Sequence, residues 1–167
     1  FLEDNSIYSG HFENGQITGK GIFMQRDGQE VYEGNWLNAE KHGNGKSTLY
    51  NSNNEALRTY EGEWEHNERN GEGIYHNKER KTIYQGQWRN NLRHGIGIYS
   101  SDNSRYEGQW RDDKRHGTGE MKDLDESIYN GEWKDHLHHG QGKSYHKNGK
   151  IKYDGEWKDS SYHGQGK

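Results

Sequence analysis

No cysteine occurs in the 167-residue chain, which excludes disulfides, cysteine-ligated metals and thiol catalysis. No Asn-x-Ser/Thr glycosylation acceptor occurs either. Apolar runs of membrane-spanning length are missing, and the first residues form no signal-peptide pattern. These absences fit a cytoplasmic location. Aliphatic side chains are scarce: only 25% of residues are hydrophobic, which falls in the range of disordered chains. An excess of one charge is also lacking, since the net charge is -4 and self-repulsion is weak. What the chain has instead is aromatic. Its 12 Tyr and 6 Trp are regularly spaced, and each such ring buries on the order of 150–250 Å². A chain of this kind folds by ordered aromatic stacking or not at all.

The spacing comes from an internal repeat. Tyr-x-Gly-x-Trp or a close variant opens at Tyr8, Tyr32, Tyr60, Tyr84, Tyr106, Tyr129 and Tyr153. Each copy closes on a Gly-x-Gly piece, usually preceded by histidine: His42, His94, His116, His139 and His163, with Thr18 and Asn70 in the first and third copies. The distance from Tyr to the final Gly never changes, so length variation falls between copies, as in 47–59. A fixed unit with variable joints is one supersecondary element.

Alternation with period two marks a strand, with Tyr, Gly and Trp on one face and mostly Glu, Gln, Asn and Asp on the other. Turn formers follow at Asn14-Gly15, Asn90-Asn91, Asp112-Asp113 and Asp159-Ser160. His-Gly-x-Gly then starts the returning strand. Each repeat therefore reads as a β-hairpin. A lone hairpin is marginal in water, but stacked hairpins align their Tyr and Trp rings. Glycine is needed where a neighbouring ring lies flat on backbone. The expected fold class is all-β: an elongated, twisted, single-layer antiparallel sheet of consecutive hairpins with about 14 strands, forming a single array over residues 1–167. Its end, His163-Gly-Gln-Gly-Lys, stops inside the pattern, as a segment of a longer chain would.

These motifs, recurring every 22–28 residues from Tyr8 onward, resemble the MORN repeat family (membrane occupation and recognition nexus). The family usually carries Gly three residues after the Trp. Here only Gly15 keeps it, and Ala39, Asn67, Asn91, Asp113, His136 and Ser160 replace it. Ala39 is the least suited of these to the turn.

Candidate chemistry is sparse. Equivalent histidines on successive hairpins lie roughly 9.5 Å apart, too far to share a zinc ion bound at about 2.0–2.1 Å. They read as structural. The recurring Glu33, Glu61, Glu63, Glu107, Glu132 and Glu156 read as a solvated face rather than catalytic pairs. Asp123-Leu124-Asp125-Glu126 lacks the length, glycine and terminal Glu of an EF-hand. The Gly-x-Gly pieces lack the Lys-Ser/Thr ending of a phosphate loop. Neither a catalytic site, a cofactor nor a metal is expected, and nucleic acid is excluded because no face is uniformly basic.

Two surfaces remain. Arg89, Arg93, Arg111, Lys114 and Arg115 gather around two successive turns as an edge for an acidic partner, or as a solvated mixed-charge edge broken by Asp112 and Asp113. Tyr60, Trp64, Tyr75, Tyr84, Trp88, Tyr99, Tyr106 and Trp110 line an aromatic groove for a partner's helix or extended strand. The alternative there is that the rings bury one another. The resemblance implies a non-enzymatic scaffold for protein partners in a cytoskeletal assembly, such as the radial-spoke heads of the ciliary or flagellar axoneme. It also implies two rivals: a tether to anionic lipid, disfavoured by the net charge, and the regulatory arm of an enzyme whose catalytic part lies elsewhere. Free sheet edges invite edge-to-edge pairing into a homodimer.

Overall fold

A computed structural model describes residues 6–79 and 81–167. They form fourteen strands and, among the described residues, no helix. The strands are β1 (Ile7–Glu13), β2 (Gln16–Met24), β3 (Glu30–Leu37), β4 (Glu40–Tyr50), β5 (Ala56–Glu65), β6 (Glu68–Asn77) and β7 (Thr82–Arg89). There follow β8 (Leu92–Ser100), β9 (Ser104–Arg111), β10 (Lys114–Asp123), β11 (Ile128–Lys134), β12 (Leu137–Tyr145), β13 (Ile151–Lys158) and β14 (Ser161–Gly166). They make one open antiparallel layer in which strand order is chain order. The chain divides into two compact units between Asn91 and Leu92. The first carries β1–β7 and the second β8–β14, and the same devices recur within each.

Two residues with positive φ close each hairpin, as the tight mirror-image turns require. The pairs are Asn14-Gly15, Asn38-Ala39, His66-Asn67, Asn90-Asn91, Asp112-Asp113, Asp135-His136 and Asp159-Ser160. Ala39 keeps the geometry, at φ 64°. It does so against a left-handed penalty of roughly 1–2 kcal/mol for a residue with a Cβ.

His-Gly-x-Gly does not start the return strand, as the sequence suggests. That strand begins earlier, and the motif is a bulge inside it. Gly34 pairs with Gly45 and Trp36 with Lys41, so one residue on β3 opposes three on β4. Gly43 turns the bulge with φ 63°. The same break separates Gly62–Gly73 from Trp64–Arg69. The extra residues re-aim the strand and let its two ends serve different neighbours.

The facing glycines explain the tyrosine. The Tyr32 ring lies across Gly34 and Gly45, and a Cβ on Gly34 would come within 2.5 Å of both the Gly45 Cα and Tyr32 Oη. The ring thus belongs to the same hairpin, not to a neighbour as the sequence suggests. Tyr32 Oη donates to the Asn35 carbonyl at 3.0 Å, and the ring is fully buried. The next hairpin then adds its tryptophan. Trp64 meets Tyr32 edge-on at 5.3 Å, and its Nε1 donates to the Gly45 carbonyl at 3.1 Å. The step repeats at Tyr60–Trp88, Tyr106–Trp133 and Tyr129–Trp157. A row of alternating Tyr and Trp is therefore the core of each unit.

Three substitutions test this packing by chemical denaturation. Trp88→Ala removes a ring that is 6% exposed and should cost about 3–5 kcal/mol. Gly34→Ala, at ordinary φ, should cost about 1–3 kcal/mol through overpacking alone. Ala39→Asn should instead stabilise by roughly 1 kcal/mol by relieving the left-handed strain. Wild-type transitions for all three would discard the ring-on-glycine ladder.

Candidate functional site

One position escaped the sequence reading: the residue just before the histidine of His-Gly-x-Gly. It is Ile17, Lys41, Arg69, Arg93, Arg115, His138 or Tyr162. All of these but Ile17 lie against rings of the row. Arg69 lies 4.4 Å over Trp88, Arg93 4.3 Å over Trp110 and Arg115 4.6 Å over Trp133. Lys41 sits 5.1 Å from both Tyr32 and Trp64. His138 stacks flat on Tyr129 at 3.6 Å, and Tyr162 does the same on Tyr153 at 4.1 Å. A single-layer sheet thereby covers its own aromatic face, using cation–π contacts and the alkyl stems of long side chains.

The second turn residue, where the sequence departs from glycine, holds the cap in place. The Arg93 backbone N–H and Nε both donate to Asp113 Oδ1, at 2.9 and 2.8 Å. The Asp113 N–H returns a bond to the Arg93 carbonyl at 2.9 Å. Asn91 clamps Arg69 in the same way, and Asn67 accepts from the Lys41 N–H at 2.9 Å. His136 and Ser160 serve the next two caps. Ala39 has only its backbone N–H, which donates to the Ile17 carbonyl. Each turn from Asn38-Ala39 onward is thus an inter-hairpin clasp.

The polar residue before several tryptophans also has a structural task. Gln109 Oε1 accepts from the Thr118 N–H at 2.7 Å, and Glu132 Oε1 from the Gln141 N–H at 2.8 Å. Asn35 Nδ2 donates to the Asn44 carbonyl at 3.1 Å. These side chains satisfy the bulge backbone. Glu132 is therefore more than a solvated carboxylate.

Of the rings assigned to a partner groove, Tyr60, Trp64, Tyr84, Trp88, Tyr106 and Trp110 are buried at 7% exposure or less. Tyr75 and Tyr99 are half-buried and tilt over Trp88 and Trp110 respectively. Of the basic edge, Arg93 and Arg115 are caps. Arg111 and Lys114 approach Asp135 Oδ1 at 3.7 and 4.0 Å, and Arg89 is exposed. His94 and His116 turn Nδ1 toward Asp112 and Asp135 at 3.4 and 3.8 Å. Among the described residues no three His, Asp or Glu side chains group closely enough to hold a metal ion.

A family profile described as MORN repeat matches residues 8–30, 32–53, 60–78, 84–105, 106–123, 129–151 and 153–167. Each match opens on the tyrosine of a Tyr-x-Gly motif. The chain belongs to the MORN repeat family. No curated protein matches it significantly. MORN repeats make a module for interaction with proteins or membranes, and MORN folds of this kind are generally non-enzymatic.

Burial shifts several ionisable groups of this MORN row. The Tyr129 hydroxyl is pushed up to about 12, chiefly by burial. His138 is pushed from 6.5 down to about 4 by burial, with the nearby Arg115 charge adding to it. The folded imidazole therefore stays neutral where the unfolded one gains a proton. As pH falls from about 6.5 to about 4, the unfolded chain binds the extra proton and stability drops. His138→Phe should flatten that part of the pH dependence of the melting temperature, and an unchanged slope would contradict it. Asp113→Ala should cost about 1–3 kcal/mol by orphaning the Arg93 donors. Asp113→Asn should recover most of that, because Asn91 does the same work for Arg69. Equal losses would show that the clasp contributes nothing.

Proposed function

We propose that this MORN array is a non-enzymatic docking scaffold that seats an extended or helical segment of a partner protein. What carries this reading is the contrast between its two faces. The aromatic face is largely covered by its own caps, as the burial of Tyr32, Tyr60, Tyr84 and Tyr106 attests. The opposite face of the first unit is open. A trough of about 790 Å³ runs there over a floor of Gly21, Gly34, Gly45 and Gly62. Lys20, Ile22, Glu33, Asn35, Lys46 and Glu61 form its walls. The floor is bare strand backbone between these side chains, and walls of both charge signs favour a polypeptide over a uniformly charged surface. The half-exposed Tyr75 and Tyr99 add apolar contact to the docking role proposed for the aromatic residues.

The rival reading, a tether to anionic lipid, is supported only by basic side chains such as Arg89. The ion pairing of Lys46 with Glu61 at 2.7 Å and of Lys143 with Asp154 at 2.9 Å weighs against it. The setting we assign is cytoplasmic and cytoskeletal, with the axoneme of a cilium or flagellum as the assembly to examine first. Its support is the family resemblance alone. Edge-to-edge pairing of a second copy, which open antiparallel sheets permit, belongs to the same reading.

Crosslinking mass spectrometry of the native full-length protein at physiological salt tests it. Reproducible crosslinks from Lys20 and Lys46, or from Lys78, Lys81 and Lys114, to one protein segment are expected. Sedimentation with phosphatidylserine vesicles that collapses as salt rises, with no protein crosslink, would replace docking by tethering.

A further inference from the structure

The cap position is filled differently along the array, and one filling leaves room. Three hairpins set a guanidinium over the next tryptophan, with a bulky second-strand residue beside it. Tyr75 accompanies Arg69, Tyr99 accompanies Arg93, and Met121 accepts from Arg115 Nη1 at 3.5 Å. The second repeat has a small residue there, Ser47, but Glu30 closes the gap. It accepts from Lys41 Nζ at 2.7 Å and from Ser47 Oγ at 3.0 Å. In the sixth repeat all three positions are short at once. His138 stands where Lys41 does, Ser144 where Ser47 does and Ser127 where Glu30 does.

A pocket of about 520 Å³ results, lined by Tyr129, His138, Ser144, Tyr145, Trp157 and Tyr162. Its chemistry matches the missing group. Ser144 Oγ is buried with no hydrogen-bond partner among the described residues. Ser160 also lines it, at the place of Asn91 and Asp113. Those two residues offer their carbonyls to the Arg69 and Arg93 Nη2 donors at 2.9 and 3.1 Å. Asp123 and Lys152 bring one charge of each sign to the wall.

We infer that this pocket receives an arginine side chain from a partner polypeptide, its guanidinium lying over Trp157 as Arg69, Arg93 and Arg115 lie over Trp88, Trp110 and Trp133. A planar, weakly hydrated guanidinium stacks on indole while its edge donates to Ser144 Oγ and the Ser160 carbonyl. An ammonium offers a point charge and no stacking plane. Burial keeps His138 uncharged near neutrality, so it does not repel the incoming cation. The row already tolerates guanidinium groups on successive hairpins, Arg93 and then Arg115. For its physiological partner this inference rests on the docking reading, but the pocket chemistry is tested separately.

The probes are acetyl-Gly-Arg-Gly-amide and its citrulline and lysine counterparts, titrated into the full chain and followed by NMR. The arginine peptide should shift the Trp157 indole and Ser144 amide saturably. Citrulline, isosteric but neutral, should bind at least about tenfold more weakly, as should lysine. His138→Arg rebuilds the filling of the other hairpins and should abolish binding with a melting temperature at or above that of the parent. Ser144→Tyr, copying Tyr75 and Tyr99, should also abolish it and serves if the first variant folds poorly. No saturable shift, equal binding of citrulline or lysine, or undiminished binding by either folded variant would overturn the proposal. If the peptide fails while crosslinks to a partner persist, the pocket falls and the docking scaffold stands. Peptide binding without any partner crosslink reverses that result.

Discussion

A tyrosine ring lying across two facing glycines is the contact on which the rest of this sheet depends. The pair Gly34 and Gly45 lets Tyr32 approach backbone atoms that any Cβ would hold away. That approach puts the ring low enough to be covered by one tryptophan from the next hairpin. It also frees the Gly45 carbonyl to accept from that tryptophan's Nε1. Remove the glycines and the ring rises, the indole loses its acceptor and the next hairpin loses its seat. Stability therefore passes from neighbour to neighbour within each unit, as in other repeat proteins.

A ring row on one layer would still face water. The caps answer this with side chains that are charged at one end and apolar along the stem. Lys41, Arg69, Arg93 and Arg115 cover aromatic surface and keep their charge partly solvated. The clasp residues fix them from the next turn, so the side chain that covers one ring pair also ties two hairpins together. This double use explains how a chain with 25% hydrophobic residues holds a core at all. It also explains why the departures from glycine at Asn67, Asn91 and Asp113 fit. Each adds a side-chain acceptor that glycine lacks.

Function follows from what the caps leave open. Where they are long, the aromatic face is covered, and the docking surface we propose is the trough on the other side. Where they are short, at His138, Ser144 and Ser127, the row keeps a recess of its own. Within each unit the same repeat thus yields a regular backbone and surfaces that differ by a few side chains.

The repeat, the hairpins, the two-residue turns and the aromatic row could all be read from the sequence, because each rests on local spacing. Tyr-x-Gly-x-Trp must alternate faces, and Asn-Asn or Asp-Asp must turn. Whether the rings formed a groove or buried one another was not legible, since that depends on a neighbour's side chain one hairpin away. Arg93 and Arg115 read as a free basic edge because nothing along the chain shows that Asp113 and His136 reach back to them. The bulge at His-Gly-x-Gly was hidden for the same reason: a register break is a relation between two strands. Local sequence determined the elements and their order. Only the tertiary structure decided which side chains cover the rings, because that depends on contacts between one hairpin and the next.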